Sequence, residues 1–228
     1  MATRAEMIYS VKELLKDHTD DTLISEEHIL FQIKAYRAML LRQLYSDRSK
    51  EFDDASKQTF CADMKLTDPG ICGIDTGCFI LRSEEKIPGL LSVKGRSALT
   101  RVGPPIIGMP PYEVVNETEI NGCMNDPYSG TTAFIMDDYL YLVGRAVATK
   151  LIKCVSVQAI FEDPEKLEYL NTCDSCGSHA EEKCFTDDSE LPMPSHLISI
   201  IINMVVKDFM GTEKMKERRD TDNDSVPD

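Results

Sequence analysis

Apolar residues recur at helical spacing near both ends of the chain and at strand-like spacing between them. Thr3 and Glu6 form a capping box, and Ile8, Val11 and Leu15 then share one face of a first helix. The polar stretch DHTDDT breaks it. Ser25 is placed to cap a second helix, with Ile24 and Ile29 as a hydrophobic staple across the cap. Ile29, Ile33, Tyr36, Leu40 and Leu44 line one stripe down to about Tyr45, and Lys34, Arg37 and Arg42 fall on other faces. The short connection predicts an antiparallel helical hairpin over residues 1–50.

From about Lys57 the period shortens. QTFCADMKL and CFILRS read as strands separated by the turn-rich DPGICGIDTG. KIPGLL, SALTRVGPPIIG, PPYEVVNETEI, TTAFIMDDYLYLVG and CVSVQAIFED continue the pattern. TTAFIMDDYLYLVG predicts a hairpin turning at Asp137-Asp138, with Phe134, Met136, Tyr139 and Tyr141 on its arms. Pro104, Pro105, Pro110 and Pro111 assign their part of the chain to a sheet edge or a connecting loop. Short strands with Gly/Pro punctuation predict a β-sandwich or small barrel over 57–162. An acidic, cysteine-containing loop follows over 163–192. A last helix, 193–211, buries Leu197, Ile201, Met204 and Val205, with Gly211 as its stop. It is expected to pack on the N-terminal hairpin, and 212–228 reads as a flexible tail. The fold class is therefore α+β: a helical bundle built from both chain ends, with a central β-sandwich or barrel-like domain.

Charge narrows the function. The chain has 228 residues, 42% of them apolar, and a formal net charge of −14. Such a balance repels phosphate, which argues against a protein that grips nucleic acid through charge. MATRAEMIYS has no apolar run of the signal-peptide kind, and no stretch reaches the roughly 20 apolar residues of a membrane span. The eight cysteines are read as reduced thiols of a protein made in a cytoplasm.

Chemistry concentrates at one place, CDSCGSHAEEKC. Cys173, Cys176, His179 and Cys184 supply four ligands that suit tetrahedral zinc, and Gly177 permits the tight turn of a CxxC loop. The competing reading is a surface loop of thiols. Four protein ligands leave no open position, so zinc here would be a structural staple. Catalysis finds less support. His18, His28, His179 and His196 belong to no nucleophile pattern, and GxSxG, Walker and HExxH motifs are absent from the sequence. Asp137-Asp138 reads as a turn and not as a carboxylate pair. Lys94, Arg96 and Arg101 lie near one another in the sequence and suit DNA or an acidic partner, against the plainer reading of a solvated sheet face.

The order of these segments resembles the neck or ring (head-tail connector) proteins of crAss-like Bacteroides phages. The resemblance is carried by MIYSVKELLKDHTDDTLISEEHILFQIKAYRAMLLRQLY, FILRSEEKIPGLLSVKGRSALTRVGP, TTAFIMDDYLYLV, VSVQAIFEDPEKL and DSELPMPSHLISIIINMV. It implies a virion structural protein that is not an enzyme and needs no cofactor. It also implies a homo-oligomeric, twelvefold ring that joins portal and capsid to the tail. Its partners would be the portal protein and other neck or tail proteins, with DNA passing through without specific binding. A zinc-binding interaction module is the main alternative, and an uncharacterised phage enzyme the last.

Overall fold

A computed structural model describes residues 2–16, 24–47, 51–67, 79–106, 108–116, 130–144, 147–170 and 186–223. For Arg96, Val147, Ala148, Glu168, Tyr169 and residues 212–223 only the backbone is described. The chain divides into two compact units, Met1–Ser56 with Thr186–Asp228, and Lys57–Phe185. The class is α+β.

The first unit holds α1 (Arg4–Lys16), α2 (Glu26–Leu44) and α3 (Ser195–Asn223). The capping box closes α1 as its sequence dictates. Thr3 N donates to Glu6 Oε2 at 2.9 Å, and Glu6 N donates to Thr3 Oγ1 at 3.1 Å. Ser25 caps α2 by accepting from His28 N. A helix leaves its first N–H groups without intrahelical acceptors. In α1 two of these find partners from the far end of the chain: Arg4 N donates to Ser189 O at 3.0 Å and Ala5 N to Asp187 O at 2.9 Å. The Thr3–Glu190 bridge continues this pairing. Leu191, Pro192, Met193 and Pro194 are then buried as the chain enters α3.

The buried row of α2 differs from the expected stripe. Ile29, Ile33, Arg37 and Leu41 are fully enclosed, while Tyr36, Leu40 and Leu44 are half-buried. Arg37, expected on an outer face, lies inside, and its Nε donates to Pro192 O at 2.9 Å. The spacing of four continues through it, because the arginine stem is apolar and only its head must find acceptors. On α3, Leu197, Ile201, Val205 and Val206 are buried and Met204 is half-buried. Gly211 does not end this helix, which runs on to Asn223. An interior glycine costs only about 1 kcal/mol, and the following TEKMKERR consists mostly of strong helix formers.

The second unit is a nearly closed barrel. Its strands are β1 (Gln58–Thr67), β2 (Phe79–Ser83), β3 (Ser92–Val93), β4 (Arg96–Ser97), β5 (Leu99–Gly103), β6 (Glu113–Val114), β7 (Thr132–Met136), β8 (Tyr139–Gly144) and β9 (Cys154–Ala159). Seven form one sheet in the order β5-β9-β1-β2-β8-β7-β6, and β3 and β4 make a separate ribbon. The first half of β1 pairs with β9 and its end pairs with β2, so one long strand serves two neighbours. The edges β5 and β6 meet: Tyr112 N, just before β6, donates to Val102 O at 2.7 Å. A barrel thus forms, where the sequence left barrel and sandwich open. At this seam a Cβ on Gly103 would lie 3.2 Å from Pro111 Cα, so glycine lets the two edges approach. Phe60, Leu81, Val102, Leu140, Leu142, Val157 and Phe161 fill the interior.

The hairpin read from the sequence is present. Asp137 and Asp138 both have positive φ, 51° and 65°, as a two-residue turn of matching twist requires. Lys94 and Gly95 turn the β3–β4 ribbon in the same way.

Two outcomes follow for the helical unit. Replacing Arg37 with Ala removes a charged hydrogen bond and opens a void, so it should cost about 3 kcal/mol or more. Arg37→Met keeps most of the volume and should cost clearly less. Urea unfolding followed by helical circular dichroism orders the two, and equal losses would contradict the packing role of the stem. Tyr36 donates to the carboxylate of Asp208. That bond, with burial and the carboxylate charge, pushes its phenol up to about 12 from the ordinary 10.0. A raised folded-state value gives a stabilisation fully present below the ordinary tyrosine range and lost as pH rises towards 12. Tyrosinate absorbance should therefore show a late-ionising residue that Tyr36→Phe abolishes. The barrel's Tyr112, raised by burial, stays late in both proteins.

Candidate assembly surfaces

Among the described residues, those that sequence reading singled out for chemistry do not converge. His28 is exposed in the first turn of α2, its ring edge-on to Phe209 with centroids 5.4 Å apart. His196 is exposed in the first turn of α3. Asp137 and Asp138 are turn residues. Cys173, Cys176, His179 and Cys184, like His18, lie outside the described residues. Among the described residues no group of three or more His, Cys, Asp or Glu side chains is placed to hold a metal ion. A shallow recess between β1 and the end of β2 is lined by Asp63, Ser83, Glu84 and Glu85, without a base, nucleophile and oxyanion donor in mutual reach. No helix among the described residues is long and apolar enough to cross a membrane.

The expectation of reduced thiols fails at two positions. Cys61 on β1 and Cys154 on β9 are both disulfide-bonded. They are half-buried on paired strands, where Cys61 faces Ser156 and Asp63 faces Cys154. The compartment of synthesis sets a bulk potential. It does not register sulfurs that the fold holds ready for bonding.

What the molecule does present is apolar surface. On α2, Phe31 is 65% exposed and Met39 42% exposed, on the same side of the helix with the exposed Ala35 between them. On the barrel, the loop from β5 to β6 exposes Ile106 (59%) and Met109 (47%), with exposed prolines at 105, 110 and 111. The loop has a defined shape. Met109 N donates to Ile106 O at 3.3 Å, Arg101 Nη2 donates to Met109 O at 3.2 Å, and Gly108 adopts a φ of 90°. Lys94 and Arg101 are exposed, at the ribbon turn and on β5. Such contiguous exposed apolar groups mark interaction sites more often than chance. The α2 surface was missed from sequence, although Phe31, Ala35 and Met39 recur every four residues. A helix with apolar residues on two sides gives no signal as to which is inside.

Residues 6–228 match the family model described as phage tail ring protein 2. The chain belongs to that family. The Ring protein 2 of Bacteroides phage crAss001 is 29% identical over 239 residues, spanning 99% of each chain. The resemblance to ring proteins of crAss-like phages, read from the order of segments, thus holds over nearly the whole length. The family is one of structural tail proteins of the virion, in keeping with a chain whose notable features are surfaces.

The disulfides give a direct measurement. Unfolded, unreduced protein should titrate fewer than its eight thiols, and all eight after reduction. Reduction should also lower thermal stability, since a native cross-link commonly contributes about 2–4 kcal/mol. Eight thiols before reduction would show the bonds to be absent.

Proposed function

We propose that this chain is a non-enzymatic ring subunit of the phage neck, in which twelve copies close a collar that joins portal and capsid to the tail and surrounds the DNA path. The observation that carries this reading is the family match from residue 6 to residue 228. The ring name of the crAss001 relative supports it. So does the character of the molecule: two compact units with shaped, exposed apolar surfaces, and no converging catalytic set among the described residues. A net charge of −14 suits a conduit wall that must let a polyanion pass without adhering. Synthesis takes place in the host cytoplasm before incorporation into the virion. Cys173, Cys176, His179 and Cys184 are the candidate ligands of a structural zinc, which the function does not require.

Native mass spectrometry of the purified chain, alone and mixed with the portal ring, tests the whole reading. The expected result is a closed oligomer of twelve, or twelve copies per portal ring, with a residual mass of one zinc per chain. A chain that remains a monomer and ignores the portal would overturn the portal-joining role. A ring without the residual mass would remove the zinc and leave the ring.

A further inference from the structure

The barrel carries a charge asymmetry that composition hides. From Lys86 to Tyr112 the chain contains Lys86, Lys94, Arg96 and Arg101 and no acid, the longest acid-free stretch in a sequence with 39 acidic residues. In the fold Lys86 lies over the Tyr139 ring, next to the Asp137–Asp138 turn, and the rest of this stretch forms the β3–β4 ribbon, β5 and the apolar loop to β6. Along this strip lie exposed Lys94 at the ribbon turn before β5, exposed Arg101 on β5, and exposed Ile106 and Met109 in the loop after it, with Arg101 Nη2 donating to Met109 O.

The opposite character gathers elsewhere. Glu84 and Glu85 follow β2, Asp137 and Asp138 precede β8, and all four are exposed; Arg82 and Lys86 lie over the Tyr139 ring among them, so four acids outnumber two bases there. Their backbones are joined: Ile87 N donates to Asp138 O at 2.7 Å, and Leu140 N donates to Ser83 Oγ, which in turn donates to Glu85 O. The strand order fixes where this acidic edge lies. From β5, β2 is three strands away through β9 and β1, and β8 is three strands away through β6 and β7. The strip and the acidic edge therefore occupy opposite sides of the barrel.

We propose that the β5 strip of one copy docks on the acidic β2–β8 edge of the next copy, giving the head-to-tail contact of the ring. This rests on the ring reading above and names the surfaces that close it. A ring needs two different, complementary patches facing away from each other, and this barrel has such a pair. Copies that each carry −14 repel unless a locally opposite charge meets the acid of the neighbour. The strip is where the chain supplies that charge. It sets Arg101 against the exposed Met109, residue types enriched in protein contacts. DNA is the less favoured occupant, because Ile106, Met109 and the loop prolines gain nothing from phosphate.

Charge exchange in the full-length chain tests this. Lys94→Glu with Arg101→Glu, and separately Glu84→Lys with Glu85→Lys, should each weaken oligomerisation by about tenfold or more, because each sets like charges against each other. Combining all four substitutions restores opposite charges across the contact and should recover the ring, which a variant weakened only by misfolding would not do. Ile106→Asp should break the ring with the barrel still folded. The readouts are sedimentation for assembly and thermal melting for the fold. Rings that form normally with either reversal, or singly reversed variants that the combination does not rescue, would overturn this contact and leave the ring reading intact. A wild-type chain that stays monomeric at every concentration, both alone and with the portal ring, would overturn both. Salt-sensitive binding of duplex DNA that the Lys94 and Arg101 reversals abolish, with assembly unchanged, would assign the strip to DNA instead.

Discussion

The guanidinium of Arg37 is the costly group around which the helical unit is arranged. A buried charge is tolerated only where acceptors are brought to it. One such acceptor is the carbonyl of Pro192, distant in sequence and on the segment that leads into α3. The same segment satisfies the first amides of α1 through Ser189 and Asp187. The N-terminal hairpin therefore cannot complete its hydrogen bonds until the other end of the chain arrives. The unit is discontinuous in sequence for a definite reason. The barrel sits between the two strokes of chain as an insertion, with its own interior and its own closure.

That closure follows the same logic at smaller scale. An open sheet leaves two edges with unpaired backbone groups. Here β5 and β6 are joined by one loop, so the edges are brought together by a connection of the chain itself. The Tyr112–Val102 hydrogen bond and the close passage of Gly103 by Pro111 then seal them. The prolines of the loop, which cannot donate to a ladder, sit where no ladder is needed. Closing the seam also brings the loop with exposed Ile106 and Met109 to the junction of the two edges.

Local rules carried far in this chain. The capping box at Thr3 and Glu6, the N-cap at Ser25, the Asp137-Asp138 turn and the strands at Gln58–Thr67 and Cys154–Ala159 are all readable from a few neighbouring residues. The failures arise where the deciding partner is distant. The inward side of α2 depends on Pro192, which no helical pattern near Arg37 announces. Gly211 resembles a stop, yet its neighbours favour continuation strongly enough to carry the helix through it. Seam closure depends on strand order, which short strands do not encode individually. The bonded states of Cys61 and Cys154 depend on partners that no local pattern announces. As for the candidate surfaces, Lys94 and Arg101 were visible as a basic group. The apolar exposure of Phe31, Met39, Ile106 and Met109 was not, because sequence reading places apolar side chains in cores by default.

A structural subunit and an enzyme differ in where they spend their irregularities. In an enzyme, strained backbone and unusual polar burial gather at one concave site. Among the described residues the positive φ values fall at the turns Lys94-Gly95 and Asp137-Asp138 and at Gly108 in the β5–β6 loop, all at the periphery of the barrel. The buried charge, Arg37, is used to hold two chain ends together. What is left for the solvent side is shape, apolar projection and a division of charge around the barrel. These are properties that matter only when another molecule is pressed against them. For a member of a ring-protein family, the strand order around the barrel is then more than a description of fold. It sets the angle between the faces that neighbours would use, and so it links the register of β1, shared between β9 and β2, to the curvature an assembly of copies can have.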